Sequence, residues 1–154
     1  MKSKFIFGIL FIFAEVTSAQ PTFTEHVIST SADGARYVHA ADMDGDGDMD
    51  VLSASSEDNK IALYLNDGIL DTDITPVVEI VISTEADGAV FVHAADVDSD
   101  GDMDILSASY SVMTWWENDG SQGFTEQNTI TADGSSSYFV ADVDGDGDVD
   151  VLAS

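Results

Sequence analysis

Short apolar runs separated by turn residues make up most of the chain after its first 24 residues. Val, Ile, Thr and aromatic residues dominate the runs, and Gly, Asp, Asn and Ser fill the intervals, which is typical of β-strands joined by turns. Apolar residues do not recur with a sustained period of 3.6, so we predict no helix in this part of the chain. The predicted strands are 25–30, 36–41, 51–55, 61–66, 77–83, 90–95, 105–110, 112–117, 127–132 and 138–141, followed by a last apolar run at 151–154.

Three acidic loops of nine residues interrupt this pattern, and each alternates Asp with another residue. They begin at Asp42, Asp96 and Asp142, which are 54 and then 46 residues apart. An Asp-Gly pair precedes each loop by nine residues, and an Asn-Asp-Gly turn follows the first two loops, at 66–68 and 118–120. A period near fifty residues with four apolar runs predicts one four-stranded sheet for each repeat.

Composition narrows the class of protein. The chain has 154 residues, a formal net charge of −26 and no cysteine. The negative charge argues against nucleic acid and anionic membranes as partners and favours cations. Hydrophobic residues reach 44%, so a folded domain is expected rather than a disordered acidic tail.

The N-terminal segment has the features of a signal peptide. Two lysines, a ten-residue apolar stretch at 5–14 and small residues at 17–19 follow one another, and the apolar stretch is too short to cross a bilayer. We expect segment 1–19 to be removed by cleavage after Ala19, leaving a secreted domain at 20–154 without a membrane span. The alternative is an uncleaved N-terminal anchor.

The acidic loops have the composition of calcium sites. Each places carboxylates at positions 1, 3, 5, 7 and 9 and glycine at position 6, where a sharp turn brings the chain back around a centre. Calcium takes six to eight oxygen ligands, and it neutralises charges that would otherwise repel one another. We predict up to three Ca²⁺ ions, held by loop residues Asp42, Asp44, Asp46, Asp48, Asp50, Asp96, Asp98, Asp100, Asp102, Asp104, Asp142, Asp144, Asp146, Asp148 and Asp150.

An EF-hand loop begins in the same way, but it needs a bidentate Glu at position 12 and a helix on each side. Position 12 is Ser53, Ser107 or Ala153 here, and the flanking segments read as strands. We therefore reject the EF-hand and expect position 9 to supply the closing carboxylate.

The pattern D-x-D-G-D-G-x-x-D between two strands, followed by "DVLSAS" and a hairpin ending in "NDG", resembles the FG-GAP/VCBS repeat of integrin α-subunit-like β-propellers. The resemblance covers nearly all of 23–154. It implies an all-β fold, a partial β-propeller of about two to three four-stranded blades with calcium loops between the first and second strands of each blade. It also implies ligation by the side chains at positions 1, 3, 5 and 9 and by the backbone carbonyl at position 7. Ser99 replaces the glycine found at position 4 of the other loops, and we expect that site to persist.

A closed propeller needs about four to eight blades, and this chain offers fewer than three. The last run stops inside a strand, so we expect a truncated third repeat and further blades from a longer chain. Self-association of copies is the alternative.

Two further pairs of residues are candidates for a functional role. His39 and His93 occupy the same repeat position, but the third repeat has Phe139 there, which favours packing. Trp115 and Trp116 correspond to Leu63 and Tyr64, which favours packing between blades over a binding platform.

The predicted function is recognition or adhesion toward an extracellular protein or carbohydrate, with structural calcium and no enzymatic activity. The alternative is a non-catalytic fragment of a larger secreted enzyme, a polysaccharide lyase or a hydrolase.

Overall fold

The computed structural model describes residue 25 and residues 27–68, 77–110, 112–131, 135 and 137–154. Within these ranges the regular elements are ten β-strands, with no helix. The strands are β1 (Ala35–Ala41), β2 (Asp50–Ser55), β3 (Lys60–Leu65), β4 (Val78–Ser83), β5 (Phe91–Ala95), β6 (Asp104–Ala108), β7 (Val112–Asn118), β8 (Phe124–Thr131), β9 (Tyr138–Ala141) and β10 (Asp150–Ala153).

The strands form three antiparallel sheets in which each strand pairs with its neighbour along the chain. We call them blade 1 (β1-β2-β3-β4), blade 2 (β5-β6-β7-β8) and blade 3 (β9-β10). Two of them are four-stranded, so the prediction of one such sheet per repeat is confirmed. Together the blades form a partial β-propeller that is not closed.

The blades stack face to face through apolar side chains. Leu52 and Leu63 of blade 1 and Val92 and Ile105 of blade 2 are all fully buried in one cluster. Burying each such side chain contributes about 1.5–3 kcal/mol. A second cluster joins blade 2 to blade 3, and it includes Phe91, Met113 and Tyr138. The core of this protein therefore lies between the sheets.

The first strands of the blades run side by side on the inner side of the stack. The rings of Tyr37 and Phe91 lie 4.9 Å apart between their centroids, and Tyr138 continues the row at 5.3 Å from Phe91. The acidic loops all leave this inner row of strands, so stacking the blades places the loops in sequence at one end.

The predicted strand at 25–30 is wrong for the residues that the structure describes there. Residue 25 and residues 27–30 are not in a strand, and Val27 is 70% exposed. In the repeat this segment corresponds to β4 and β8, which pair with the third strands of their own blades. No described strand lies beside 25–30 to complete its hydrogen bonds, and an unpaired strand is not stable in water.

Other boundaries shift by a few residues. β8 begins at Phe124, three residues before the predicted start. β6 ends at Ala108 because Ser109 already belongs to the turn, in which its N–H donates to the carbonyl of Val112.

The predicted signal peptide at 1–19 lies outside the described residues. In the described part of the chain, no helix is both long and apolar enough to span a membrane.

Candidate metal centre

Each acidic loop joins the first and second strands of a blade. Loop 1 (42–50) links β1 to β2, loop 2 (96–104) links β5 to β6, and loop 3 (142–150) links β9 to β10. Position 6 has φ of 96°, 99° and 98° in the three loops, a conformation that favours glycine, the residue present in each. The loops therefore adopt the same sharp turn, as the spacing predicts.

The carboxylate at position 1 organises the turn. Asp42 accepts hydrogen bonds from the backbone N–H groups of Gly45 (2.8 Å) and Gly47 (3.0 Å). Asp142 makes the same pair of bonds in loop 3, at 2.7 and 3.1 Å. In loop 2, Asp96 accepts instead from Asp100 and Gly101, each at 3.1 Å. The chain thus wraps around its first carboxylate.

Position 9 ties the loop to the third strand of its blade. Asp50 is fully buried and accepts from the N–H groups of Met43 and Asn66, both at 2.8 Å. Asp104 is equally buried and accepts from Val97 at 3.0 Å and Asn118 at 2.8 Å. Asp150 accepts from the N–H of Val143 at 3.0 Å and is only half-buried.

Burial without a cationic side chain nearby alters the acidity of Asp50. Desolvation raises its pKa. The two backbone hydrogen bonds lower the pKa, and the charges of Asp44 and Asp46 raise it again. Within loop 2, desolvation and the charge of Asp100 raise the pKa of Asp98. A buried carboxylate is costly unless a positive charge pairs with it, and the only lysine ion pairs of the described chain involve Asp58 and Glu79.

The carboxylates converge within each loop. One oxygen from each of three residues lies within 4.8 Å of the others in all three loops. Two oxygens bound to the same Ca²⁺ are at most about 5 Å apart, since each lies about 2.3–2.6 Å from the ion. The three groups are Asp42, Asp44 and Asp50; Asp96, Asp98 and Asp100; and Asp142, Asp144 and Asp146.

Positions 1 and 3 therefore come together in every loop. The third member is the position-9 residue in loop 1 and the position-5 residue in loops 2 and 3. The donor set consists of carboxylate oxygens, which suit a hard cation such as Ca²⁺ and not a metal that prefers sulfur or imidazole. The arrangement of these residues fits calcium.

The side chain at position 7 lies against the Asn-Asp-Gly turn. A Cβ atom on Gly68 would lie 2.5 Å from Oδ2 of Asp48, and one on Gly120 would lie 2.5 Å from Oδ2 of Asp102. Both glycines have positive φ, 77° and 72°. The turn thus accommodates the position-7 carboxylate because it ends in glycine.

The asparagine of this turn also contacts the acidic loop, a role that the sequence analysis missed. Asn66 Nδ2 donates to the carbonyl of Met49 at 3.2 Å, and Asn118 Nδ2 donates to that of Met103 at 3.0 Å. The recurrence of "NDG" after both loops is the signal in the sequence that marks these residues.

Comparison with protein families identifies the repeats. A family model described as FG-GAP-like repeat matches residues 42–107 and 96–153. The chain belongs to the FG-GAP-like repeat family. Each matched range begins at the first residue of an acidic loop, and the two overlap in loop 2 and β6. Comparisons with curated proteins and with solved structures gave no match.

The histidines and tryptophans of the FG-GAP-like repeats pack against neighbouring residues. The rings of His39 and His93 lie 4.1 Å apart, and burial lowers the pKa of both. Trp116 packs on the cluster between blades 1 and 2, and its Nε1 donates to Ser107 Oγ at 2.9 Å. Trp115 lines a cavity of about 180 Å³ on the other face of blade 2. Its buried Nε1 has no hydrogen-bond partner among the described residues.

Proposed function

We propose that this chain is a secreted, calcium-stabilised propeller module that recognises an extracellular protein or carbohydrate, and that its calcium is structural. The observation that supports the proposal best is the convergence of three carboxylates at the same place in three successive loops. One such cluster is common on an acidic surface, but three with the same glycine turn indicate a repeated binding site. The family membership supports this reading, since FG-GAP-like repeats often bind calcium.

In the proposed site, positions 1, 3, 5 and 9 provide carboxylates and position 7 provides its carbonyl. Calcium, when bound, supplies positive charge that offsets the repulsion among five carboxylates. The chain contributes the orientation: position 1 holds the turn, and position 9 anchors the loop between two strands. Because both ends of the loop continue into strands of one blade, filling the site fixes the angle at which those strands leave it.

We propose secretion on the basis of the N-terminal segment 1–19. Extracellular calcium is commonly about millimolar, and oxygen sites in extracellular modules are tuned to about 10⁻⁴–10⁻³ M. Such sites are filled outside the cell and empty in most cytosols, which links the proposed location to the proposed ion.

We propose that the outer faces of blades 1 and 3 are covered by further blades of the same kind. Val38 is 64% exposed, whereas its counterpart Val92 is fully buried against blade 1. Leu152 is 45% exposed, whereas its counterpart Leu52 is fully buried against blade 2. The exposed residues on the two outer faces thus correspond to residues that are buried at the interface between blades 1 and 2. Apolar exposure of this kind marks an interaction surface. A light-scattering mass that rises with concentration would show that further copies of the chain supply these blades, and a constant monomer mass would exclude that source.

The test of calcium binding is calorimetric titration of the full chain with Ca²⁺, paired with thermal unfolding in calcium and in excess chelator. We expect binding and a midpoint that rises with calcium, since a ligand at 100 times its Kd stabilises the folded state by about 2.7 kcal/mol per site. The triple variant Asp46→Ala, Asp100→Ala and Asp146→Ala is the comparison, because it removes one proposed ligand from each loop and keeps the carboxylates at positions 1 and 9 that organise it. Absence of heat and of any midpoint shift would overturn the proposal.

A further inference from the structure

The turn between β7 and β8 touches two acidic loops. We call residues 118–123 the bridging turn. The Asn118 side chain is buried, and its Nδ2 donates to the carbonyls of Met103 in loop 2, at 3.0 Å, and of Met43 in loop 1, at 3.3 Å. One amide group therefore joins loops that belong to different blades.

A second contact reaches the carboxylate group of loop 1. Gln122 Nε2 donates to Oδ2 of Asp44 at 3.4 Å. Asp44 is one of the three residues that converge in that loop. The bridging turn therefore contacts both the backbone and a proposed ligand of loop 1.

The bridging turn is braced internally. Asp119 accepts hydrogen bonds from the N–H groups of Ser121 (2.9 Å) and Gly123 (3.0 Å), and its own N–H donates to the carbonyl of Gly123 at 2.9 Å. Displacing one end of such a turn displaces the other. Asn118 and Gln122 therefore move together.

Loop 2 determines where the bridging turn sits. The N–H of Asn118 donates to Asp104 at 2.8 Å, and the Asp102 carboxylate lies against Gly120. A continuous series of contacts thus runs from loop 2 through the bridging turn to loop 1. Coupling between sites is carried by such connected contacts when they shift as a unit.

Blade 1 provides an internal comparison. Asn66 makes the same bonds within its own blade as Asn118, to Asp50 and to Met49. Among the described residues, its side chain reaches no acidic loop of another blade. Loop 3 likewise has no described turn that joins it to loop 2. Among the described residues, the cross-blade link therefore joins loop 1 to loop 2.

We propose that loops 1 and 2 bind their cations cooperatively through the bridging turn, with Asn118 as the positioning residue that links them, while loop 3 binds independently. This rests on the proposed calcium function. Cation binding at loop 2 orders the bridging turn. Binding at loop 1 then no longer loses the conformational entropy of ordering this turn, so the coupling is positive. Each loop carries five carboxylates and stays negative after taking up a divalent cation, which limits repulsion between the two ions.

The test follows calcium binding at single loops of the full chain by NMR. The backbone amide of Gly47 reports on loop 1 and that of Gly147 on loop 3. In a variant whose loop 2 is blocked by Asp98→Ala and Asp100→Ala, we expect the Gly47 midpoint to rise about fivefold, within the usual range of coupling between sites. The Gly147 midpoint should stay the same.

Asn118→Asp removes the Nδ2 donor that reaches Met43 and Met103. It keeps the bond from the backbone N–H of residue 118 to Asp104 and the side-chain oxygen that accepts from the N–H of Gly120. In this background, blocking loop 2 should no longer shift the Gly47 midpoint. Asn66→Asp is the matched control, since it adds the same charge and loses the same bond within its blade, and it should retain the fivefold effect. If Asn118→Asp does not fold, Gln122→Ala tests the exposed contact and should reduce the effect.

The coupling is overturned, with calcium binding intact, if blocking loop 2 does not change the Gly47 midpoint. It is also overturned if blocking loop 2 still raises that midpoint in both Asn118→Asp and Gln122→Ala. An effect lost equally in Asn66→Asp would also overturn it, because the cross-blade bond would then be irrelevant. If calcium shifts none of the loop amides, the proposed function itself is wrong and the coupling with it.

Discussion

The imidazole rings of His39 and His93 lie 4.1 Å apart between their centroids, on adjacent inner strands of blades 1 and 2. Desolvation by burial lowers the pKa of both, and for His93 the neighbouring His39 lowers it further. In the unfolded chain both side chains take up protons near pH 6.5, whereas in the folded chain they take up protons only at a lower pH. Protonation therefore favours the unfolded state as the pH falls.

We expect the free energy of unfolding to decrease between pH 7.5 and pH 5, by about 1.4 kcal/mol for each unit by which a folded-state pKa lies below its unfolded value. The double variant His39→Phe and His93→Phe should lose most of this dependence, because Phe cannot take up a proton. Phe139 occupies the equivalent position in blade 3, so the ring size suits the inner row. Urea titrations of both proteins at the two pH values in chelator check this, and parallel pH profiles would contradict it.

Glu79→Gln should lower the free energy of unfolding by about 1 kcal/mol at pH 7. Lys60 is 7% exposed, and its Nζ donates to Glu79 at 2.9 Å and to the carbonyl of Ser31 at 2.8 Å. The bond to Lys60 holds the pKa of Glu79 below its usual range. The stabilisation is therefore present above pH 4.5 and is lost as the pH falls through the lowered pKa.

Urea titrations at pH 7 and pH 3 measure this loss. Glu126→Gln is the control for net charge, since Glu126 is exposed on β8. Wild type and Glu79→Gln should converge at pH 3. A cost that is the same at both pH values would mean that packing of the side chain, rather than its charge, matters.

Ser99→Gly should stabilise the folded chain by about 0.5–1 kcal/mol. Ser99 has a φ of 63° at position 4, where Gly45 and Gly145 have 75° and 80°. A left-handed conformation is unfavourable for Ser, and the greater freedom of Gly in the unfolded chain offsets part of the gain. The reciprocal variant Gly45→Ser should cost about as much, and thermal unfolding compares both with wild type. If Ser99→Gly destabilises the folded chain, or if Gly45→Ser leaves its stability unchanged, position 4 is not strained.

Asp46→Ala should weaken calcium binding to loop 1 much more than Asp48→Ala. Position 5 supplies a proposed carboxylate ligand, whereas the Asp48 side chain lies against Gly68 and its carbonyl is the proposed ligand. Both variants remove one negative charge from the same loop, so each is the control for the other. Site-resolved titration at Gly47 measures the two affinities, and equal losses would refute the ligand assignment.

The strands and loops could be predicted because their signals are local. A strand such as β2 alternates within six residues, and the nine residues of a loop contain every carboxylate of its site. Segment 25–30 has an equally clear strand pattern. A strand also needs a neighbouring strand to pair with, and the sequence of the segment itself does not show whether one is present.

The contacts of Asn118 could not be predicted for a similar reason. Its sequence context matches that of Asn66, and only the stacking of blade 2 on blade 1 brings its amide to Met43. Likewise, the spacing of loop 1 does not distinguish Asp46 from Asp50 as the third member of the converging group.

The pairing of every strand with its neighbour along the chain has a consequence for synthesis on the ribosome. Each hairpin closes over a short sequence separation, which favours fast formation. Blade 1 is complete once residue 83 has left the exit tunnel, before blade 2 has emerged from it. Each new blade can then assemble on the apolar face of the one before it, so the growing chain can fold from its N-terminal end while its remainder is still being translated.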